Sequence, residues 1–297
     1  KKINRSNLLI HLAAINRHSD ESYLYDVNVK LSLNLVNILE KLNRPPRVIF
    51  ASSTQESEGT QYGNSKLKCR KIFENWAINN NADLLSFIIP NVFGPFCKPF
   101  HNSFISTFCN QIINNQEPKV IVDKEVKLIY IADLVDLVKK HLNRAKWKSK
   151  SILIENVKKI KVSEVLEILK YFHKSYIEES IFPNLETQFM KDLFITYHSS
   201  IEKNSDYPRP IKKHVDDRGF YSEIYKSGSK TQVSYSATNS GIIRGNHYHT
   251  RKVEWFCIPA GKGLLVLKDR ETGETREVLM GVNNLKTIKI QPIAPGW

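Results

Sequence analysis

The stretch ASSTQESEGTQYGNSKLKCRK, Ala51 to Lys71, decides the fold. It opens on the end of an apolar run, RVIFASS (Arg47 to Ser53), that reads as a buried strand, and passes into a segment of helical period that includes Lys66 to Ile78. Tyr62 and Lys66 stand four residues apart at the start of that helix, so their side chains lie one above the other on one face. A phenol with its ordinary pKa of about 10 is a poor acid-base group at neutral pH, and an adjacent ammonium is expected to lower it. Ser53, at the end of the strand, can donate a hydrogen bond to the same substrate oxygen. A Tyr-Lys pair at this spacing says little alone. Its context gives it weight: a strand ending in Ser-Ser, then the Tyr-Lys helix, with HLAA on an earlier strand and PNVFG after a later one.

Working outward, NLLIHLAA (Asn7 to Ala14) reads as a buried strand, Val29 to Leu42 as a helix, and LLSFIIPNVFG (Leu84 to Gly94) as a strand running into a loop. Strands alternating with amphipathic helices make a parallel α/β sheet. After Val162 one more helix is expected, followed by weakly periodic sequence. IEKNSDYPRP (Ile201 to Pro210) is polar with two prolines and reads as a linker. The expected domains are therefore 1–200 and 213–297, joined by 201–212. The second has short β-runs such as GLLVLKD (Gly263 to Asp269) and LKTIKIQ (Leu285 to Gln291) between Gly, Asn and Asp turns, the texture of a small β-barrel or sandwich.

The chain has 297 residues, 41% of them hydrophobic, enough for two globular domains. No apolar run approaches the roughly 18 residues that span a membrane. Its net charge of +14 is spread along the chain rather than gathered into a stripe, which favours an anionic small substrate over nucleic acid. Four cysteines form no CxxC pair, so neither a zinc knuckle nor a disulfide framework is indicated, and a reducing cytoplasm is the expected setting. Cys97 and Cys109 are expected to pack.

A second constellation lies in SGIIRGNHYHTRKVEWFCIPAG, Ser240 to Gly261. His247 and His249 are two apart, which on a strand places both imidazoles on one face, and Glu254 can return to that face. Two imidazoles and a carboxylate can hold a divalent metal and leave positions open.

The first constellation resembles the extended short-chain dehydrogenase/reductases, the nucleotide-sugar epimerases, dehydratases and reductases. The resemblance implies a Rossmann-like domain with Ser53, Tyr62 and Lys66 as catalytic triad. It implies that Leu12, Ala13 and Ala14 lie along a nicotinamide cofactor, that Asn28 sits beside the active site, and that Pro90, Asn91 and Val92 approach the nicotinamide or the sugar. LIYIADLVDLV, containing Asp133, is similar to the late strand-to-helix turn of that family. The family's Gly-rich phosphate turn does not precede Ile10, so the sequence reads as starting inside the fold, with at least one βαβ unit of roughly 30 residues expected before it.

The spacing of Gly241, His247, His249, Glu254 and Gly261 is similar to the first cupin motif, which implies an all-β cupin barrel with those three residues on a metal, zinc above all. The second cupin motif is expected to be cut short, since IAPGW has Ala294 at the usual proline and its histidine would fall beyond Trp297. A reductase followed by a cupin resembles the bifunctional capsular-polysaccharide enzymes of the CapF type, on FGPFCKPFHNSFISTFCNQI, VDDRGFYSE and RGNHYHTRK. That resemblance implies C3 epimerisation by the cupin and NADPH-dependent (or NADH-dependent) reduction at C4 of a UDP-2-acetamido-2,6-dideoxy-4-ketohexose, giving an L-talosamine-type sugar, in a homodimer. Lys98, Asn102 and Ser103 follow PNVFG, at the strand ends where open α/β sheets bind ligands, and are candidate substrate contacts. An epimerase or binding module without a working reductase, or a non-catalytic assembly partner, are the competing readings.

Overall fold

The computed structural model describes residues 3, 6–142, 147–201, 211–283 and 285–290. Most of the expected linker and the closing IAPGW lie outside the described residues. The chain divides into two compact units, one of residues 1–212 with 223–235, the other of 213–222 with 236–297.

The first unit is built on a four-stranded parallel sheet of order β1-β2-β3-β6, from β1 (Leu8–His11), β2 (Arg47–Ser53), β3 (Leu84–Ile89) and β6 (Ser149–Leu153). The Rossmann-like parallel sheet expected from sequence is present. Side chains alternate across β2. Val48 and Phe50 pack with Val36, Leu39, Phe73 and Trp76 on one face, while Ile49 joins Leu85, Phe87, Leu134 and Trp147 on the other. Helices α1 (Glu21–Leu39) and α2 (Gln61–Asn79) cover the first face, capped at their N-termini by Asp20 and Thr60, whose side chains accept from Tyr23 N and Gly63 N. α1 begins well before Val29, because the Asp20 cap lies outside the apolar periodicity that marks its later turns. α2 begins at the Tyr-Lys turn itself, ahead of Lys66.

LLSFIIPNVFG is two strands, not one. Pro90 has no N–H to give a ladder, and the chain leaves β3 there to enter β4 (Asn91–Phe93) in a separate sheet, β4-β5-β7, with β5 (Glu125–Tyr130) and β7 (Lys158–Lys161). This smaller sheet packs with α3 (Phe104–Ile113), α5 (Val162–Phe172) and α6 (Gln188–His198) around Phe93, Phe108, Leu128, Leu169 and Leu193. α4 (Ile131–Leu142) follows β5 without a break, as LIYIADLVDLV suggests. α6 lies in the stretch that reads as weakly periodic, where Asp192 and Thr196 are buried among its apolar residues and blur the pattern. Cys109 is buried, but Cys97 is exposed rather than packed.

The second unit is all-β, with no closed barrel among the described residues. β12 (Glu254–Cys257) pairs antiparallel with β15 (Thr287–Ile290), and β13 (Lys262–Lys268) with β14 (Thr275–Gly281), each as a two-stranded sheet. β9 (Lys213–Asp216) pairs with the start of β10 (Gly219–Ser227). Leu264, Val266 and Leu279 are exposed on these ribbons, so the alternating pattern that suggests a barrel does not close one here. No helix among the described residues is long and apolar enough to cross a membrane.

Candidate active site and metal cluster

Because β1, β2, β3 and β6 run parallel, His11, Ser53, Ile89 and Leu153 all end at one edge of the sheet, the edge at which open α/β sheets bind ligands. Ser53 Oγ accepts from Gln55 N at 3.2 Å, starting a 3-10 turn over Thr54–Ser57 that leads to α2. Gly63 lets that turn sit against the helix, since a Cβ there would lie 2.0 Å from the Gln55 carbonyl oxygen. The turn is also held by a half-buried ion network missed in the sequence. Arg70 Nε and Nη2 donate to both oxygens of Glu56 at 3.1 and 2.9 Å, Arg70 Nη1 donates to Glu74 at 2.7 Å, and Ser52 and Ser151 donate to the two carboxylates. Glu56 and Arg70 are 14 apart, a spacing without helical meaning, so only the fold pairs them.

Lys66 is 4% exposed, with Nζ 4.6 Å from the centre of the Phe50 ring. Burial lowers its pKa to about 8, while the neighbouring Cys69 and Glu56 act to raise it. His11 is stacked on Phe50 at 5.8 Å and packed against Phe73 at 5.4 Å. Burial first, then the charge of Lys66, lowers its pKa to about 4, so it is neutral at physiological pH. Tyr62 departs from the sequence expectation. Its pKa is raised, chiefly by burial, which disfavours the charged phenolate, and then by Cys69.

Asn28 Nδ2 donates to the Ile15 carbonyl at 2.8 Å and to Ser65 Oγ at 3.0 Å, and its Oδ1 accepts from Ile15 N at 2.8 Å. It thereby clips the segment after β1 to α1 and α2. Leu12, at 69% exposure, Ala13 and Ala14 lie on that segment, open to solvent. Pro90 is buried, Val92 half-buried and Asn91 exposed, and a cavity of about 420 Å³ at the strand ends is lined by Thr54, Glu56, Asn91, Lys124 and Lys127 among others. Tyr62, Lys66, Lys98, Asn102 and Ser103 do not line it. Ser103 caps α3 through its acceptance from Ser106 N, and Lys98 and Asn102 are exposed in the preceding loop, Asn102 at φ 65°.

In the second unit His247 and His249 lie on an irregular segment, not a strand. Gly245 and Asn246 have φ of 101° and 59°, which takes the backbone out of the extended region just before them. The three side chains nevertheless converge. Their ligand atoms lie within 4.8 Å of one another, the two imidazoles are 4.9 Å apart, and His249 Nε2 is 3.4 Å from Glu254 Oε1. Two ligands at about 2.1 Å from one tetrahedral ion are separated by about 3.4 Å. His249 Nε2 is buried without a hydrogen-bond partner, and Lys252 makes an ion pair with Glu254. This donor set fits a divalent cation.

A parallel sheet with a Tyr-Lys helix beside a strand-end serine defines a nucleotide-dependent oxidoreductase or epimerase fold, and the chain belongs to the NAD dependent epimerase/dehydratase family, which it matches over residues 1–154. Residues 214–295 match a polysaccharide biosynthesis C-terminal domain. The UDP-2-acetamido-2,6-beta-L-arabino-hexul-4-ose reductase of Pseudomonas aeruginosa is 26% identical over 292 residues, 98% of this chain and 77% of that protein. The spore coat polysaccharide biosynthesis protein SpsL of Bacillus subtilis is 31% identical over 86 residues, 26% of this chain and 57% of that protein. Among solved structures, the capsular polysaccharide assembling protein CapF of Staphylococcus aureus superposes with a TM-score of 0.83 at 28% identity, over 98% of this chain and 78% of CapF.

Proposed function

We propose that this chain modifies a nucleotide sugar for surface polysaccharide synthesis, its first part (1–200) reducing the C4 ketone of a UDP-2-acetamido-2,6-dideoxy-4-ketohexose with NADPH or NADH, and its last (213–297) epimerising C3. The observation that carries the reading is the half-buried Tyr62 and buried Lys66 on α2, which follows the strand ending in Ser53, in a chain aligned along 98% of its length with a reductase named for such a sugar.

The raised Tyr62 pKa suits reduction, because a phenol that keeps its proton can give it to the alkoxide forming at C4. Ser53 would donate a hydrogen bond to the same oxygen and polarise the ketone. Lys66, mostly an ammonium below pH 8, would hold the cofactor ribose and favour charge developing at the phenol. The exposed Leu12, Ala13 and Ala14, with Pro90 and Val92, would border the cofactor, and Asn91, Lys98, Asn102 and Ser103 the sugar nucleotide. When bound, the nicotinamide supplies hydride to C4. In the second unit His247, His249 and Glu254 would hold a divalent ion, zinc being the best match to the donors, which supplies Lewis acidity toward the ketone whose C3 proton is removed.

The test is to incubate the gene product bearing this sequence with the 4-ketohexose nucleotide and NADPH or NADH, following loss of nicotinamide absorbance and, in deuterium oxide, exchange at C3 by NMR. Ketone-dependent oxidation of the cofactor is expected. Its absence from a folded protein with either cofactor overturns the reductase reading.

A further inference from the structure

Lys66 is the charged member of the candidate site, yet none of its described hydrogen bonds or ion pairs fixes where its amine points. What lies against it is aromatic. The Nζ sits 4.6 Å from the centre of the Phe50 ring, Phe50 is itself 1% exposed, and Phe73 and His11 lie 5.1 and 5.8 Å from the same ring. Phe50 occupies the middle of β2 with β1 on one side and β3 on the other, in register with His11 and Ser86, so its ring cannot swing away. An ammonium over the face of a desolvated ring is attracted by the ring quadrupole, and more strongly where water is excluded.

We propose that Phe50 is the positioning residue for Lys66, its ring face seating the ammonium on the sheet side of α2 so that the lysine remains charged and fixed in a buried site. The inference rests on the reductase reading for its functional meaning but not for its geometry. The other groups facing the amine come from three elements. His11 on β1 is neutral at physiological pH, Glu56 on the 3-10 turn is occupied by Arg70, and Cys69 on α2 donates its thiol hydrogen to the Asn28 carbonyl at 3.3 Å. Glu56 and Cys69 also favour the charged amine, but no described hydrogen bond or ion pair joins either of them to it, so the Phe50 ring is the group whose contact fixes where the amine points.

The test replaces Phe50 by 4-fluoro-, 3,5-difluoro- and 3,4,5-trifluorophenylalanine in the gene product bearing this sequence, a series that drains the ring face of negative potential at almost constant volume. Lys66 titration is followed through its side-chain nitrogen resonance, assigned by its disappearance in Lys66→Arg. A parent value of about 8 and a stepwise fall of roughly 0.5 to 1 unit across the series are expected. A merely structural role would leave the titration in place, because the fluorinated rings pack alike. Values that agree within about 0.2 units across the folded members overturn the proposal, and the mono- and difluoro proteins suffice for that comparison if the trifluoro protein does not fold. C4 reduction measured on the same samples separates the two ideas: a parent without turnover counts against the reductase reading, while the titration series decides the seating of Lys66.

Discussion

The two candidate sites are built in opposite ways. The Tyr62–Lys66 site is embedded in a sheet covered on both faces, with Phe50, Phe73 and Cys69 buried around it and an ion network holding its entrance turn. The His247–Glu254 cluster sits on an irregular segment among two-stranded ribbons, His247 exposed and His249 and Glu254 half-buried. In the first, burial sets the charge states: Lys66 and His11 are lowered and Tyr62 is raised. In the second, ligand convergence matters more, and a bound ion would itself bring the three donors into line. A buried site gets its chemistry from its walls, and an exposed cluster from its ligand.

That contrast can be broken most directly at Tyr62. Tyr62→Phe removes the proton donor at little change in volume, and C4 reduction should fall by about 10²- to 10⁴-fold while C3 deuterium exchange persists. Joint loss of both activities in a folded variant would end the assignment of the two reactions to different halves.

The ion network comes next. Arg70→Leu would leave Glu56 buried without its guanidinium, and a loss of about 3 to 5 kcal/mol is expected by urea denaturation, with the C3 exchange of the folded protein retained. A shift below about 1 kcal/mol would show that Glu56 finds water or another partner.

The third test concerns acid. His11 has a folded pKa of about 4 against its ordinary 6.5, so the unfolded chain takes up its proton first. The resulting stability is present above pH 6.5 and is lost as pH falls toward 4, by up to roughly 3 kcal/mol. His11→Gln should flatten that part of the stability profile measured by thermal melts at a series of pH values. An unchanged slope would place the acid sensitivity elsewhere. Activity should fall on the opposite side, as pH rises through about 8 and Lys66 loses its proton.

The smallest expected effect lies in the exposed cluster. His249→Ala should weaken zinc retention after dialysis by at least roughly 10-fold, without moving the unfolding of the first unit. Equal retention in variant and parent would show that the HxH segment is not a ligand set.

Much of this was legible in the sequence. RVIFASS is β2 residue for residue, the Tyr-Lys turn opens α2, and LIYIADLVDLV is a strand passing into a helix, because apolar period and chain punctuation are local properties. The convergence of His247, His249 and Glu254 was legible in their spacing, although only Glu254 lies on a strand, at the start of β12, while the two histidines follow a turn of positive φ at Gly245 and Asn246. Identity and spacing of donors thus belong to the sequence alone. What only the tertiary structure decided is their charge and orientation. Phe50 and His11 reach Lys66 from two strands, Glu56 meets Arg70 across 14 residues, and Tyr62 is driven up rather than down, because pKa follows burial and neighbours that are close in space and distant along the chain.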